Sequence, residues 1–320
     1  MPWKHSGPRS DRKTAMGPES VMDRARHRNQ AGGVMKAMDR KTIAVFIDAS
    51  PSGQRRAVHA ATLAQRWGAT VVGVQVVAEP SPMPRYMYNA RGRGAVAQVL
   101  ACEQQLAADA RAVALVTGER FRAQCARLKV HGEFRSIGPG QANQEAILNA
   151  FQSDLVVAGH PEPHGLPPHM MPERILLESG GPLLIIPNAW QGETIGEKIV
   201  IGWNATREAR HAVADAMAFL VAAESVTVLL IDPEEHWGHG QEPGADVALY
   251  LTRHGAPVAV EKLATRGSSV AEALLGYVEQ HAADLLVLGA YSHARVRELL
   301  LGGVTRTLLA RMPVPVLISR

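Results

Sequence analysis

The sequence predicts an α/β protein made of two tandem doubly wound parallel-sheet domains with five strands each. The first observation is internal repetition, because KTIAVFIDAS at 41–50 aligns with EKIVIGWNAT at 197–206, and SDLVVAGH at 153–160 aligns with ADLLVLGA at 283–290. The second is that the apolar runs are short, continuous and separated by helix-length segments, as in a parallel sheet covered on both faces. A length of 320 residues also suits two domains better than one core.

The two halves are predicted to repeat one order of elements. The first strand is followed by an amphipathic helix, a second strand, a variable loop, a helical stretch and a third strand. Another helix, a fourth strand that begins in Asp-Leu and a last strand complete each half. The predicted ranges, amino half before carboxyl half, are 52–67 and 207–223 for the first helix, 69–77 and 225–232 for the second strand, 141–152 and 269–282 for the helix before the fourth strand, and 181–187 and 314–319 for the last strand.

The domain bounds follow from composition. A polar, glycine-containing link at 188–197 separates domain 1, at 41–192, from domain 2, at 193–320. Residues 1–40 are Ser/Gly/Pro/Arg-rich and read either as a disordered basic extension or as sequence upstream of a start at Met35 or Met38.

The positive charge is concentrated in that extension. Residues 1–41 hold ten Lys/Arg against four acidic residues, a surplus of six, so a net charge of +4 leaves 4 − 6 = −2 for the rest of the chain. A slightly acidic body has no general affinity for a phosphate backbone, and nucleic acid is not expected as a partner.

Several classes of protein are disfavoured by the sequence. It has no apolar run long enough to span a membrane and no secretion signal, so we expect a cytoplasmic protein without membrane contact. Cys102 and Cys125 lack a metal or redox spacing and are expected to be free thiols. Two groups of histidines, His160, His164 and His169 and the pair His236 and His239, lie in Pro- and Gly-rich loops without carboxylate or cysteine support, so no metal site is predicted. Because no catalytic triad order, Walker lysine or paired carboxylates can be assembled, we predict no enzyme activity.

The candidate site lies where the strands of the carboxyl half end, since ligands of open parallel sheets bind beyond the carboxyl ends of the strands. Glycines there turn the backbone sharply, and the free N–H groups that open the next helix can bind an anion. From spacing alone, an ordinary strand-to-helix turn explains these glycines equally well. The candidate residues are Trp203, Asn204, Ala205, Leu288, Gly289, Tyr291, Ser292, Gly302, Gly303, Val304 and Thr305.

Several motifs together resemble the universal stress protein family in its tandem two-domain form, over residues 41–320. They are a first strand that ends in Asp-x-Ser, the strand ADLLVLG, the stretch GAYSHARVRELLLGGVT and the closing PVPVLI. The resemblance implies the adenine-nucleotide alpha-hydrolase-like fold, a stress-response role, and ATP or another adenine nucleotide as ligand. It also implies an intramolecular pseudo-dimer of the two domains, with strands 182–187 and 314–319 at or near the contact, and a homo-oligomer such as a homodimer.

The family's nucleotide motif is kept in spacing and changed in identity. Nucleotide-binding members carry Gly, two residues, Gly, nine residues, Gly, then Ser or Thr. Ser292 takes the place of the second glycine, which costs roughly 1–2 kcal/mol if that position needs a positive φ. Gly303 replaces the hydroxyl residue, although its N–H and the nearby Thr305 remain as donors. Asn204 stands where these members have the acidic residue that helps to hold the adenosine end.

The amino half is predicted to be a degenerate copy. Asp48 is retained, but four prolines follow Gly159 before the next helix, and proline removes the amide donors that a phosphate loop needs. We therefore predict a non-catalytic stress-response protein with a weak adenine-nucleotide site in the carboxyl half. The alternative is a nucleotide-independent dimeric scaffold that acts through protein contacts.

Overall fold

The computed structural model describes most of the two predicted domains. Residues 39–320 form one compact unit. The extension at 1–40 and the candidate residues Tyr291, Ser292 and 302–305 lie outside the described residues. The described ranges are 41–77, 93–138, 142–160, 172–235, 242–290, 307–308 and 310–320.

The elements of the amino half begin and end where local sequence signals place them. The hydroxyl of Ser50 accepts a hydrogen bond from the N–H of Gly53 at 3.0 Å and caps the first helix, which has Pro51 at its first position. Gly68 caps the carboxyl end of the same helix, and its φ of 66° lies in the left-handed region that favours glycine. The elements are β1 (Thr42–Phe46), α1 (Pro51–Trp67), β2 (Thr70–Val76), α2 (Arg93–Arg127), β3 (Gly132–Ile137), α3 (Ala142–Phe151), β4 (Leu155–Gly159), α4 (Pro172–Ser179) and β5 (Leu183–Ile186).

The carboxyl half repeats this order. Its first helix stops earlier than predicted, at Leu220, because the N–H of Ala222 bonds to the carbonyl of Phe219 in a tighter turn. The helix before the fourth strand likewise ends at Gln280, two residues early. The elements are β6 (Lys198–Gly202), α5 (Arg207–Leu220), β7 (Ser225–Ile231), α6 (Ala245–Arg253), β8 (Val258–Leu263), α7 (Val270–Gln280), β9 (Leu285–Gly289) and β10 (Val316–Ser319).

The strands of both halves form one sheet. Its order is β3-β2-β1-β4-β5-β10-β9-β6-β7-β8, so each half contributes five strands in the same relative order. All pairs are parallel except β5 and β10, which run antiparallel with Leu184 opposite Leu317. The predicted α/β fold with parallel five-strand units is confirmed, and the last strands of the two halves meet as predicted.

Apolar clusters cover both faces of this sheet. One contains side chains from α1 and α5, which meet directly where the rings of Trp67 and Phe219 lie 4.8 Å apart, edge to face. The other contains side chains from α3, α4 and α7. Each cluster includes residues of both halves, so the core does not stop at the junction of β5 and β10.

An aspartate in each half bonds to the backbone at the amino ends of the strands. Asp284, just before β9, accepts hydrogen bonds from the N–H groups of Gly196, Glu197 and Lys198, at 2.9–3.1 Å. Burial raises the pKa of Asp284, and these hydrogen bonds oppose that shift. The matching Asp154 in the amino half accepts from the N–H groups of Lys41 and Thr42, at the start of β1, at 2.8 and 2.9 Å. The repeated aspartate therefore fastens the start of each half's first strand.

Candidate functional site

The carboxyl half brings the two described parts of the candidate site to one edge of the sheet. β6 lies between β9 and β7, and Gly202 is paired with Leu288. The chain order reverses at β6, so Trp203–Ala205 and Gly289 flank the switch point at which doubly wound sheets bind ligands. The structure thus places these segments side by side, as the sequence predicted.

A compact turn presents Asn204 at this edge. The Asn204 Oδ1 accepts a hydrogen bond from the Thr206 hydroxyl at 2.8 Å and a longer one from the Thr206 N–H at 3.4 Å. Thr206 in turn caps α5 by accepting from the N–H of Ala209 at 3.2 Å. Ala205 between them has a φ of 55°. The Asn204 side chain is exposed, and within the described residues its amide N–H groups donate to no side chain or backbone group.

Gly289 lies directly against the start of α5. A Cβ added to Gly289 would lie 2.3 Å from the Ala209 nitrogen and 2.4 Å from the Glu208 carbonyl carbon. Such distances leave no room for a side chain, so the strand end shows only backbone to the crevice. The next residue, Ala290, donates its N–H to the carbonyl of Ser319 at 2.8 Å.

Two candidate residues belong mainly to the core. Leu288 is 8% exposed and packs in the cluster with α7, and Trp203 is partly buried against the cluster with α5.

Ser319 was not predicted, although it ends β10 in register with Gly289. Its hydroxyl is buried and has no hydrogen-bond partner among the described residues. A polar residue at the end of an apolar strand was the sequence signal for it.

The amino half carries an ion pair at the equivalent edge. The Arg56 guanidinium donates from Nη2 to Asp48 Oδ2 at 2.7 Å, from Nη1 to Asn188 Oδ1 at 2.8 Å and from Nε to the Phe46 carbonyl at 3.2 Å. The Arg56 side chain is 3% exposed and that of Asp48 37%. Burial lowers the pKa of Arg56, and the carboxylate of Asp48 opposes that shift.

Arg56 was not among the residues predicted from the sequence. Arg56 lies six residues after Ser50, the N-cap of α1. The matching position in the carboxyl half, six residues after the N-cap Thr206 of α5, is Ala212. Ala212 is 1% exposed, so the aligned position faces the core in the other half. An arginine at an apolar position of an amphipathic helix was the available signal.

A cavity of about 250 Å³ also opens between α1 and α2, next to Asp48. The residues that line it include the buried Ala57 and Phe121 and the exposed Arg120 and Arg127. It therefore combines an apolar wall with positive charge. This cavity was not predicted from the sequence.

Other chemistry is sparse in the described part of the chain. Cys102 is exposed and Cys125 is buried, and both are free thiols. Within the described ranges, no three His, Cys, Asp or Glu side chains are grouped so as to hold a metal ion. A search of the same residues finds no helix with the length and apolarity needed to cross a membrane.

Comparisons with known proteins agree with this architecture. The model of the Universal stress protein family matches residues 39–179 and 197–320. Universal stress protein Slr1230 of Synechocystis sp. is 28% identical over 153 residues, which cover 46% of this chain and 50% of the relative. The match thus spans about half the length of that relative.

Solved structures show the same fold. A universal stress protein from Archaeoglobus fulgidus DSM 4304 is similar with a TM-score of 0.62 and 13% identity, over 87% of this chain and 98% of that one. The functionally unknown protein PA1789 from Pseudomonas aeruginosa PAO1 is similar with a TM-score of 0.52 and 14% identity, over 90% and 94% of the two chains. With the family model matching both halves, the chain belongs to the universal stress protein family.

Proposed function

We propose that the chain is a non-catalytic stress-response protein that binds an adenine nucleotide weakly at the carboxyl ends of β6 and β9. The observation that carries this proposal is the set of polar groups at that edge. Among the described residues the amide N–H groups of Asn204 have no acceptor, and Gly289 offers only backbone to the crevice. In the amino half the equivalent edge is filled by Arg56.

The residues at this edge fit an adenine nucleotide by their chemistry. Asn204 can both donate and accept hydrogen bonds, which suits a ribose hydroxyl or an adenine edge. Gly289 allows close approach of a phosphate group. The proposed phosphate contacts from Gly303, Val304 and Thr305 follow from the motif spacing alone, since these residues lie outside the described ranges. Bound nucleotide would contact residues of the 290–304 segment and change a surface that contacts a partner.

Released nucleotide provides the test. The purified chain is denatured and the supernatant is analysed by mass spectrometry, and calorimetry then measures uptake of ATP, ADP and AMP at millimolar concentration. The Gly302→Asp variant should lose nucleotide, because a carboxylate at the cradle repels phosphate. Gly276→Asp is the matched control, since Gly276 is exposed on α7 and no atom lies within 4 Å of an added Cβ.

Each outcome decides between functions. Two results contradict the proposal: a wild-type protein that neither carries nor takes up nucleotide, and a Gly302→Asp variant that binds nucleotide as well as wild type. Either result favours the alternative function, a nucleotide-independent dimeric scaffold. Metal-dependent turnover of ATP above a control without protein contradicts the non-catalytic part. A nucleotide that is lost from Gly302→Asp and kept by Gly276→Asp supports the site.

The proposal includes a cytoplasmic location and self-association of chains. β5 and β10 already pair with each other within one chain, so a homo-oligomer must use another surface. Sedimentation at several concentrations tests self-association, and fractionation of cells tests location. A chain that stays monomeric at the highest concentration contradicts the homo-oligomer.

A further inference from the structure

We infer that Arg56 closes the crevice of the amino half, because its guanidinium occupies the carboxyl ends of β1 and β4 as a built-in ligand of Asp48 and Asn188. The position is specific to this half. α1 and α5 have the same N-cap geometry, and six residues later α1 has Arg56 whereas α5 has Ala212. Helix side chains lean toward the amino end, so a long side chain at this position reaches the edge of the sheet.

The contacts of Arg56 span the crevice. Its three hydrogen bonds join the end of β1, through Phe46 and Asp48, to Asn188 beyond β5. β4 lies between these strands, and a Cβ added to its last residue, Gly159, would lie 2.4 Å from Arg56 Nη1. Glycine at this position therefore makes room for the guanidinium.

Both carboxylate oxygens of Asp48 already accept a hydrogen bond from the chain. Its Oδ2 accepts from Arg56 at 2.7 Å, and its Oδ1 accepts from the Ser50 N–H at 2.7 Å. A ligand at the aspartate that this half retains would have to share these oxygens with Arg56 and Ser50, whereas among the described residues the amide N–H groups of Asn204 in the other half have no acceptor. Arg56 thereby restricts ligand binding to the carboxyl half, and this consequence rests on the proposed function.

Arg56 also fastens the link between the halves. Asn188 is the first residue of the link, and besides binding Arg56 it donates from Nδ2 to the His160 carbonyl at 3.1 Å. The neighbouring Arg55 donates to the backbone carbonyl of Asn188 at 2.6 Å. The link is therefore held to the same edge that the guanidinium closes.

A double-mutant cycle between Arg56 and Gly159 tests the occupancy without any nucleotide. In wild type, Gly159→Ala should lower the melting temperature by about 5 °C, because the added methyl group meets a guanidinium held by three partners. In the Arg56→Ala background the same change should cost about 1 °C or less, since the two nearest atoms belong to Arg56 and the next is the side-chain end of Asn188 at 3.0 Å, which can move. Gly181→Ala is the control, because its added Cβ has only an ordinary contact at 3.7 Å with the Ser153 carbonyl.

An equal loss from Gly159→Ala in both backgrounds would overturn the inference. If Arg56→Ala does not fold alone, methylguanidinium at about 10 mM should restore its folding by filling the vacated site, and should leave wild type unchanged. Tetramethylammonium at the same ionic strength should restore nothing, and equal effects of the two cations would also count against the inference.

The restriction of ligand binding to the carboxyl half is tested by measuring the nucleotide that the Arg56→Ala variant carries. If wild type carries nucleotide, Arg56→Ala should keep the carboxyl-half nucleotide, and a loss of that nucleotide would show that Arg56 serves the ligand instead. If wild type carries none, the proposed function fails while the double-mutant cycle still decides whether Arg56 fills the crevice.

Discussion

Replacing Gly289 with alanine tests how closely α5 packs on the end of β9. The added Cβ would lie 2.3 Å from the Ala209 nitrogen, whereas ordinary contact begins at 3.4 Å, so the two elements must separate by 3.4 − 2.3 = 1.1 Å. The clash involves backbone atoms of Glu208 and Ala209, which cannot rotate away as the end of a side chain can. We expect a loss of about 3 kcal/mol in the free energy of unfolding, or about 5 °C in melting temperature for a unit of this size.

Urea unfolding followed by circular dichroism measures this loss. The matched control is Gly276→Ala in the exposed face of α7, where no atom lies within 4 Å of the added Cβ. That variant should gain about 0.5–1 kcal/mol, because alanine favours a helix interior over glycine. A Gly289→Ala protein with the urea midpoint of wild type would refute the close packing of α5 on β9.

Three further substitutions test the core and its charges. Asp284→Ala should cost about 2 kcal/mol of unfolding free energy, because three backbone N–H groups lose their acceptor. Burial lowers the pKa of the His59 imidazole in the folded chain. The unfolded chain therefore binds a proton at His59 more readily, and the free energy of unfolding falls as the pH drops below about 6.5. His59→Phe keeps the ring contact with Trp190 and should flatten that acid slope in urea unfolding between about pH 7 and 5. Leu317→Ala at the junction of β5 and β10 should cost about 3 kcal/mol, measured in the same way, since Leu317 is fully buried.

Each of these has a contrary outcome. Asp154 is exposed and accepts from the N–H groups of Lys41 and Thr42, so a loss from Asp154→Ala that equals the loss from Asp284→Ala would contradict the first prediction. An acid slope that persists in His59→Phe would assign the sensitivity to another group. A Leu317→Ala loss under about 1 kcal/mol would mean that the junction is not well packed.

The order of elements could be predicted because each half signals it locally. The repeated Asp-Leu strands, the Ser and Thr caps and the continuous apolar runs depend on near neighbours in the sequence, and the structure confirms the α/β fold that they predicted. The ends of α5 and α7 were predicted two to three residues too late, since apolar residues continue past the last helical turn. The domain bounds near residue 193 stay a prediction, because the sheet and both cores continue across the halves.

The candidate site could be predicted only in outline. The positions of Asn204 and Gly289 at one edge followed from the rule for parallel sheets, and the structure brings them together. Their use for nucleotide stays a prediction, as does the role of Ser292. Ser319 was missed although it ends a predicted strand, because the pairing of β10 with β9 that puts it beside Gly289 appears only in the fold. Arg56 was missed because nothing near it in the sequence shows which strand end its side chain will reach.

By itself, the sequence determined the class of fold, the doubling of the unit and the family, because these depend on repeated local patterns. The sequence also predicted that the amino half is a degenerate copy, but only the tertiary structure decided which side chain fills its crevice. Arg56 reaches Asp48 eight residues away but Asn188 at a separation of 132 residues, and Gly159 lies beneath it on a third strand. Contacts of that kind depend on which strands become neighbours, and so the closed crevice of the amino half is visible only in the folded chain.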